Sequence, residues 1–550
     1  MIKDADAWEL YTKIKEQHEL TGIFDKTDKC HRFYIGDQWR GCETGNEKLP
    51  VINIIKPIVD HKVATVAQNK LTITLNPLNA GSDYVSAKKI SDKLTEHMAL
   101  MWELHKMDRL LWLVAKDAAI CGDAYVLFYD GQGDSQLIDR TQIFLSDEQE
   151  KDIQTQKYII IKERRHVSEI KAEAKKNGVD KVLIDSIIAD SDTDRELGED
   201  SDKEVKGDIS SKTTSVLMLW KDENGIVHRS RSCQYCVYEP DASTGLERYP
   251  IASLIWLNKK GSARGIGEVE PIIDNQIEIN KQVARMIMTS KLTSYPKIAY
   301  RRGAISNPEQ LEKAGGAIEV DDISVSAITD MVTYLHPSGM SADVYNIWTT
   351  LENKTKELAG ASDAALGQID PSKASGTAII AVKSQSALPL NDQMAAYKQF
   401  VEDIALIWWD LWATYNPDGM RITITNDKGE LVNEMVTAET LKAIKIKTRI
   451  DVSPDSPFDR YAQEQSVERA LVSGYISFEE YVASLDSNST APRALFEKVL
   501  REREKKAQAQ AGQQALMQAM AQAQGGQSIP ADMGQGIPPE QNTGQTMPIM

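Results

Sequence analysis

The stretch LGQIDPSKASGTAIIAVKSQSALPLNDQ, Leu366 to Gln393, runs a loop of Gly, Ser, Asp, Pro and Lys straight into an apolar-rich helix. Such a loop can cradle a phosphate, because the first backbone N–H groups of a helix have no partner within it. A P-loop needs Gly, four residues, Gly, Lys, then Ser or Thr, so that the lysine reaches the terminal phosphates and the hydroxyl holds magnesium. Here Gly367 lies nine residues before Gly376, Thr377 follows with no lysine between, and Lys373 precedes the glycine. The upstream element reads as a helix ending near Ala359 and Gly360, whereas a nucleotide-binding turn follows a strand. The stretch is therefore a loop between two helices, and its neighbours decide the fold.

Downstream lies the strongest periodicity in the chain. Leu390, Met394, Tyr397, Val401, Ile404, Trp408, Leu411 and Tyr415 are spaced alternately by four and three, which favours an intramolecular core helix over a coiled coil. The spacing predicts one helix from Thr377 to Tyr415, kinked at Pro389. Upstream, Ala342 to Ala359 reads as a helix with Val344, Trp348, Leu351 and Leu358 on one face. Before it, GEVEPIIDNQIEINKQVARMIMTSKL (Gly267–Leu292) is a helix opened by Pro271. Its two apolar stripes, Ile273, Ile277, Ala284 and Ile287 against Ile279, Val283 and Met286, predict cover on more than one side. Between these two helices, YPKIAYRRGAI, GGAIEV and DMVTYLHP read as short strands around a small helix at NPEQLEKA, an α/β insert from Thr293 to Pro337.

The N-terminal part reads as mainly helical to about residue 125, with Trp8, Tyr11 and Ile14 on one face and an extended, turn-containing piece at HRFYIGDQWRG (His31–Gly41). Ile52 to Pro77 starts helical and ends as an alternating strand through Leu71, Ile73 and Leu75. An amphipathic helix from Tyr84 to about Met107 and a more apolar one, LLWLVAKDAAICGDA, lead into a β-rich block: YVLFYD, KYIIIKERRHV, TSVLMLWKDENGIVHRSRSCQYCVYEP and ASLIWLNK. Inside it, an acidic insertion from about Asp185 to Asp208 reads as a solvated loop. Asp190, Asp192 and Asp194 mimic the first ligands of a calcium loop, but Arg195 and Ser201 stand where its Gly and Glu belong. After the long helix come strands at MRITITND and KIKTRIDVS, then helices at PFDRYAQEQSVERALVSGY, SFEEYVASL and RALFEKVLREREKKAQAQ. From about Ala507 a Gln-, Ala-, Gly-, Met- and Pro-rich tail is too poor in apolar surface to order itself.

Composition bounds function. The 550 residues suffice for several cores, with 41% hydrophobic and 26% charged residues. No apolar run reaches the roughly 20 residues of a membrane span, and the charged N-terminus lacks a signal core. Five cysteines argue against a disulfide framework and for a reducing compartment. Cys233 and Cys236 form a lone CxxC, read as ordinary strand residues because no second ligand pair follows. The net charge of −17 excludes a basic footprint for gripping nucleic acid. In GSARGIGEVEP, Gly261, Gly265 and Gly267 miss the dinucleotide-binding spacing, and no HExxH, GxSxG or nucleophile-plus-His pattern appears. Neither a catalytic site, a metal site nor a cofactor is expected.

The order of helix, α/β insert, helix, Gly/Ser loop and long kinked helix resembles the portal proteins of tailed bacteriophages, the head-to-tail connectors, in which two stem helices flank a clip and a tunnel loop precedes a kinked helix. YIGDQW (Tyr34–Trp39) looks like that family's aromatic-Gly-x-x-Trp element, NIIKPIVDHKVATV like the helix after it, GEVEPIIDNQIEINK like the entry to the first stem helix, and SGTAI (Ser375–Ile379) like the sequence after the tunnel loop. The resemblance covers residues 25 to 500.

It implies an α+β, mainly helical fold with a wing (1–267), stem helices (268–292 and 341–360), a clip (293–340), a tunnel loop (361–376), a kinked helix with return strands (377–456), a crown (457–506) and a disordered tail (507–550). It also implies a virion protein at the capsid vertex, assembled in the host cytoplasm into a ring, usually of twelve, through which double-stranded DNA is packaged and ejected. Its partners would be the terminase large subunit, head-completion or adaptor proteins, and major capsid and scaffold proteins, without a membrane. Gln368, Asp370, Ser372, Lys373 and Ser375 would then face DNA from the tunnel loop, and Tyr300, Arg301, Arg302, Glu309 and Glu312 would form the docking surface of the clip. A packaging-associated ATPase and another virion component, coat or tail, are the competing readings; the missing phosphate loop disfavours the first and the element order the second.

Overall fold

A computed structural model describes residues 7–42, 49–67, 70–77, 84–129, 133–190, 211–294, 297–300, 305–307, 309–310, 319, 332–335, 341–361, 388–425, 431–437, 446–453, 457–484, 495–496 and 498–500. Contacts divide the chain into two units, residues 1–456 and 457–550.

In the first unit, helices α1 (Ala7–Thr21), α2 (Ile23–Ile35) and α3 (Ile55–Ala67) precede strand β1 (Lys70–Pro77), then α4 (Tyr84–Leu104) and α5 (Met107–Cys121). The piece expected to be extended from His31 instead continues α2 through Ile35. Gly36, at φ 96°, caps it in the left-handed region that glycine enters at least cost, and its N–H donates to Arg32 O. The strands β2 (Asp123–Phe128), β3 (Ser135–Ile138), β4 (Ile143–Leu145) and β5 (Tyr158–His166) follow. Two short helices, α6 (Val167–Lys176) and α7 (Lys181–Ser186), interrupt the β block where the sequence suggested none. Their apolar residues are few, so the helical period is faint; Ile170, Ala174 and Ile184 supply it, packed on Tyr238 and Cys233. Then come β6 (Lys212–Lys221), β7 (Val227–Cys233), β8 (Val237–Ser243) and β9 (Ile251–Ile255).

Among the described residues all strand pairings are antiparallel, and they include a five-stranded sheet β4-β5-β6-β7-β8 and a three-stranded sheet β3-β2-β9. Antiparallel strands with helices gathered elsewhere make the unit α+β. The expected acidic loop is corrected at its start: Asp185 and Ser186 close α7. Asp190 accepts from Thr214 N at 2.7 Å and pairs with Arg164, so it is committed to the sheet rather than to a cation.

Helix α8 (Ile273–Ser294) is preceded by a 3₁₀ turn, Glu270–Ile272, that holds Pro271, where the missing N–H costs nothing. Strands β10 (Lys297–Tyr300) and β11 (Val332–Leu335) pair in register Lys297↔Leu335 to Tyr300↔Val332. Helix α9 (Ala342–Leu358) opens on Ser341, whose hydroxyl accepts from Asp343 N, and closes on Gly360 in the left-handed region. Leu358, expected on its apolar face, is 78% exposed.

Helix α10 spans Asn391–Tyr415. Pro389 lies in a 3₁₀ turn, Leu388–Leu390, ahead of it, so the described helix begins after the proline; residues 377–387 of the expected helix lie outside the described residues. The stripe from Leu390 to Leu411 is buried apart from the partly buried Met394, and widened by Phe400, Ile407 and Trp412; Tyr415 at its end is 39% exposed. Trp408 packs against Trp102, Trp412 and Phe128 at centroid separations of 5.7, 5.9 and 6.4 Å. The period therefore belongs to the core of this chain, as its spacing suggested. Strands β12 (Met420–Thr425) and β13 (Leu431–Val436) form a hairpin, and β14 (Ile446–Ser453) returns to pair with β1 along eight residue pairs, Lys70↔Ser453 to Pro77↔Ile446.

The second unit contains α11 (Pro457–Val472), α12 (Phe478–Ser484) and helical residues 498–500. Phe478, Tyr481 and Phe496 meet at 5.7 to 6.2 Å in a small core with Val467, Leu471 and Leu500.

Burial also tunes one acid on α10. Asp403 is pushed up to about 6 by burial, with Asp152 and Glu402 adding to the rise against Arg248. Its folded value exceeds that of an unfolded aspartate, so ionisation costs stability as pH rises from about 4 through 6. Asp403→Asn should therefore raise the melting temperature at pH 8, by about 1–2 kcal/mol of stability, and leave it unchanged near pH 4. Equal shifts at both pH values in scanning calorimetry would refute this.

Candidate functional site

Helices α8 and α9 pack along each other, with the antiparallel pair β10 and β11 between them in the chain, and Asn275 Nδ2 donates to Thr355 Oγ1 at 3.1 Å between them. The root of α8 is held by an unusually dense set of buried polar contacts. Gln276 accepts from Ile54 N at 3.1 Å and donates to Ile52 O at 2.7 Å. Asn280, one turn on, accepts from Ile52 N at 3.1 Å and donates to Gln38 Oε1 at 2.5 Å. These amides satisfy an irregular strand of backbone before α3 that no sheet covers. Sequence reading missed both, because a Gln and an Asn four apart on a helix look like solvent face; only the flanking apolar stripes hinted that this side is covered.

Just before α8, the segment Gly261–Pro271 runs against the end of α5. Trp256 N donates to Gly122 O at 2.8 Å and Glu268 N to Ala119 O at 2.7 Å. A Cβ on Gly265 would lie 2.1 Å from Gly122 O, and one on Gly267 would lie 2.3 Å from Ile120 O. The glycines that failed the dinucleotide pattern thus serve close approach of two backbones.

Two charged clusters lock the same place. Arg264, 4% exposed, donates Nε to Glu148 Oε2 at 2.9 Å and Nη2 to Ile143 O at 2.8 Å, and pairs with Asp123 at 3.3 Å. Burial works to raise the Glu148 carboxyl, but the His18 hydrogen bond at 2.8 Å and the Arg264 charge outweigh it and bring it down to about 2. Lys62 Nζ donates to Glu268 Oε2 at 2.6 Å, and Trp256 Nε1 to Glu268 Oε1 at 2.8 Å. Helix α8 therefore leaves the body from a base that neither backbone nor side chains can shift without loss.

Of the expected docking residues, Tyr300 ends β10 at 44% exposure and Glu309 sits exposed in a short turn. Arg301, Arg302 and Glu312 lie outside the described residues, as do Gln368, Asp370, Ser372, Lys373 and Ser375. Exposed apolar side chains mark the helix pair and its strand pair: Met288, Tyr345, Ile347 and Leu335 are 55 to 60% exposed. Among the described residues no group of three or more His, Cys, Asp or Glu could hold a metal ion, and no helix is long and apolar enough to cross a membrane.

A rooted helix pair with an antiparallel strand pair between its members in the chain, followed by a long core helix, is the architecture to which the family comparison speaks. The Phage P22-like portal protein family matches residues 134–536, and the chain belongs to that family. No curated protein matches it. Membership makes the chain a non-enzymatic component of the bacteriophage virion, a ring-forming portal associated with capsid and DNA.

Proposed function

We propose that this chain forms the ring at one capsid vertex through which double-stranded DNA enters and leaves, docking the terminase motor first and head-completion or tail proteins afterwards. The observation that carries the reading is the element order itself, α8, β10–β11 pair, α9, α10, within a chain of the portal family. On this reading α8 and α9 are the stem helices, residues 293–340 the clip, 361–376 the tunnel loop, residues 457–506 the crown, and the remaining body the wing that meets scaffold and coat. The exposed Tyr300 and Leu335 give the clip an apolar surface suited to successive partners. A ring of twelve chains at −17 each carries −204 formal charges. Such a wall disfavours the tight phosphate contacts that would stall a moving duplex.

Electron microscopy of the purified full-length chain tests this: rings with an axial channel support it, whereas monomers would refute it. On this reading Lys373, with Ser372 and Ser375, makes transient contacts to the passing phosphates. Lys373→Glu should leave rings intact and lower packaged or retained DNA several-fold; unchanged packaging would remove Lys373 from the conduit.

A further inference from the structure

The CxxC that the sequence set aside has a geometry of its own. Cys233 is the last residue of β7 and Cys236 precedes β8, so the two face each other across a tight turn, with Cys233 N donating to Cys236 O at 2.9 Å. Their sulfurs lie 3.9 Å apart, in contact but unbonded. Cys233 is buried at 2% exposure within the small core of Ile170, Ala174, Ile184, Ile187 and Tyr238, while Cys236 is partly open to solvent. That core joins α6 and α7 to the sheet edge, helped by Asn177 Nδ2 donating to Tyr238 O at 2.8 Å.

We propose that Cys233 and Cys236 are a vicinal dithiol that closes to an intramolecular disulfide in the presence of a low-molecular-weight disulfide, cross-linking the β7–β8 turn against which α6 and α7 pack. The steps balance as ordinary thiol–disulfide exchange. The more exposed Cys236 loses its proton to solvent and its thiolate attacks one sulfur of the small disulfide, expelling one small thiolate. Cys233, deprotonated in turn, attacks the Cys236 sulfur of the mixed disulfide and expels the second. The protein gives up two electrons and two protons, and the reagent leaves as two thiols. Burial, then the neighbouring Cys233, push the Cys236 thiol up to about 12, so little thiolate exists at neutral pH and closure is slow in a reducing, neutral cell. A particle released into oxidising surroundings has the time for it.

The full-length chain is incubated with oxidised glutathione, quenched by alkylation under denaturing conditions and digested with trypsin. No Lys or Arg separates the two cysteines, so Ser232–Arg248 carries both. Closure appears as loss of about 2 Da and of both alkyl groups from that peptide. Exposed Cys42 reports that oxidation took place by acquiring a glutathione adduct. The rate of closure should rise about tenfold from pH 7 to pH 8, as the thiolate does. In Cys236→Ser, buried Cys233 should remain alkylatable. Two alkyl groups on Ser232–Arg248 while Cys42 is modified, or a persistent glutathione adduct in place of the closed form, would overturn the proposal.

Discussion

Arg264→Ala should destabilise the chain by about 3–5 kcal/mol, the usual loss when one partner of a buried ion cluster is removed. Asp123 is 1% exposed and would keep Arg140, at 3.2 Å, as its cation beside the Gly265 N–H, while Glu148 would keep His18. The carbonyl oxygens of Ile143 and Arg140 would lose their donors as well. A pH signature separates this from mere loss of packing. Glu148 at about 2 lies below its unfolded value, so its stabilising contribution is complete above about pH 4.5 and fades as pH falls towards 2. The gap between wild type and variant in thermal or urea unfolding should accordingly be widest near neutral pH and narrow below pH 4. A pH-independent gap would assign the loss to packing alone and refute the electrostatic account.

Gly267→Ala should rank next, at about 3 kcal/mol or more. The added methyl would stand 2.3 Å from Ile120 O and 3.0 Å from Ala119 O, both backbone atoms of a buried helix end that cannot turn aside as a side chain can. Relief requires parting α5 from the segment before α8, which breaks the Glu268 N to Ala119 O hydrogen bond and disturbs the Lys62–Glu268 pair. Overpacking of a dense interior costs about 1–3 kcal/mol, and an orphaned buried donor about 1–3 more. Gly261→Ala provides the control from the same motif: its φ is 70°, but open space surrounds the position, so only backbone strain of about 1 kcal/mol is expected. Calorimetry that ranks Gly261→Ala as equal to or worse than Gly267→Ala would refute the close-approach account. Ring yield should follow the same ranking, since the displaced segment is the root of α8.

What could be read beforehand follows from which forces leave a trace in a single sequence. The stripe through Tyr397, Ile404 and Leu411 is a burial pattern repeated over many turns, so α10 was legible as core. The Pro271 start and the Gly360 stop are local chemistry, so the beginning of α8 and the end of α9 were legible, whereas the Ser341 cap went unread. Long-range polar complementarity leaves no such trace. Gln276 and Asn280 acquire their role only from the bare backbone at Ile52 and Ile54, more than two hundred residues earlier. Arg264 needs Asp123 and Glu148 beside it before it means anything. The glycines at 265 and 267 were read only as missing the dinucleotide spacing, and nothing in that spacing said that a backbone would approach them. His31–Ile35 was misread because Gly36 and Trp39 suggested a turn, while the capping glycine ends a helix instead of replacing it. The residues expected to meet DNA, and most of 293–340 expected to form a clip, were read from family resemblance and lie outside the described residues.

The pairing of β1 with β14 sets a schedule for the ribosome. Residues 70–77 emerge early, yet their partner, 446–453, is made about 370 residues later, roughly 20 to 75 s at ordinary synthesis rates. During that interval β1 is a strand with an unclaimed edge, and the antiparallel pair it belongs to cannot exist in any truncated nascent chain. The β1–β14 pair is therefore completed only after α8, α9 and the segment between them have left the exit tunnel. Premature termination anywhere before residue 446 should yield a chain that is held by chaperones or degraded, and incorporation of incomplete subunits into rings is disfavoured by the order of translation itself.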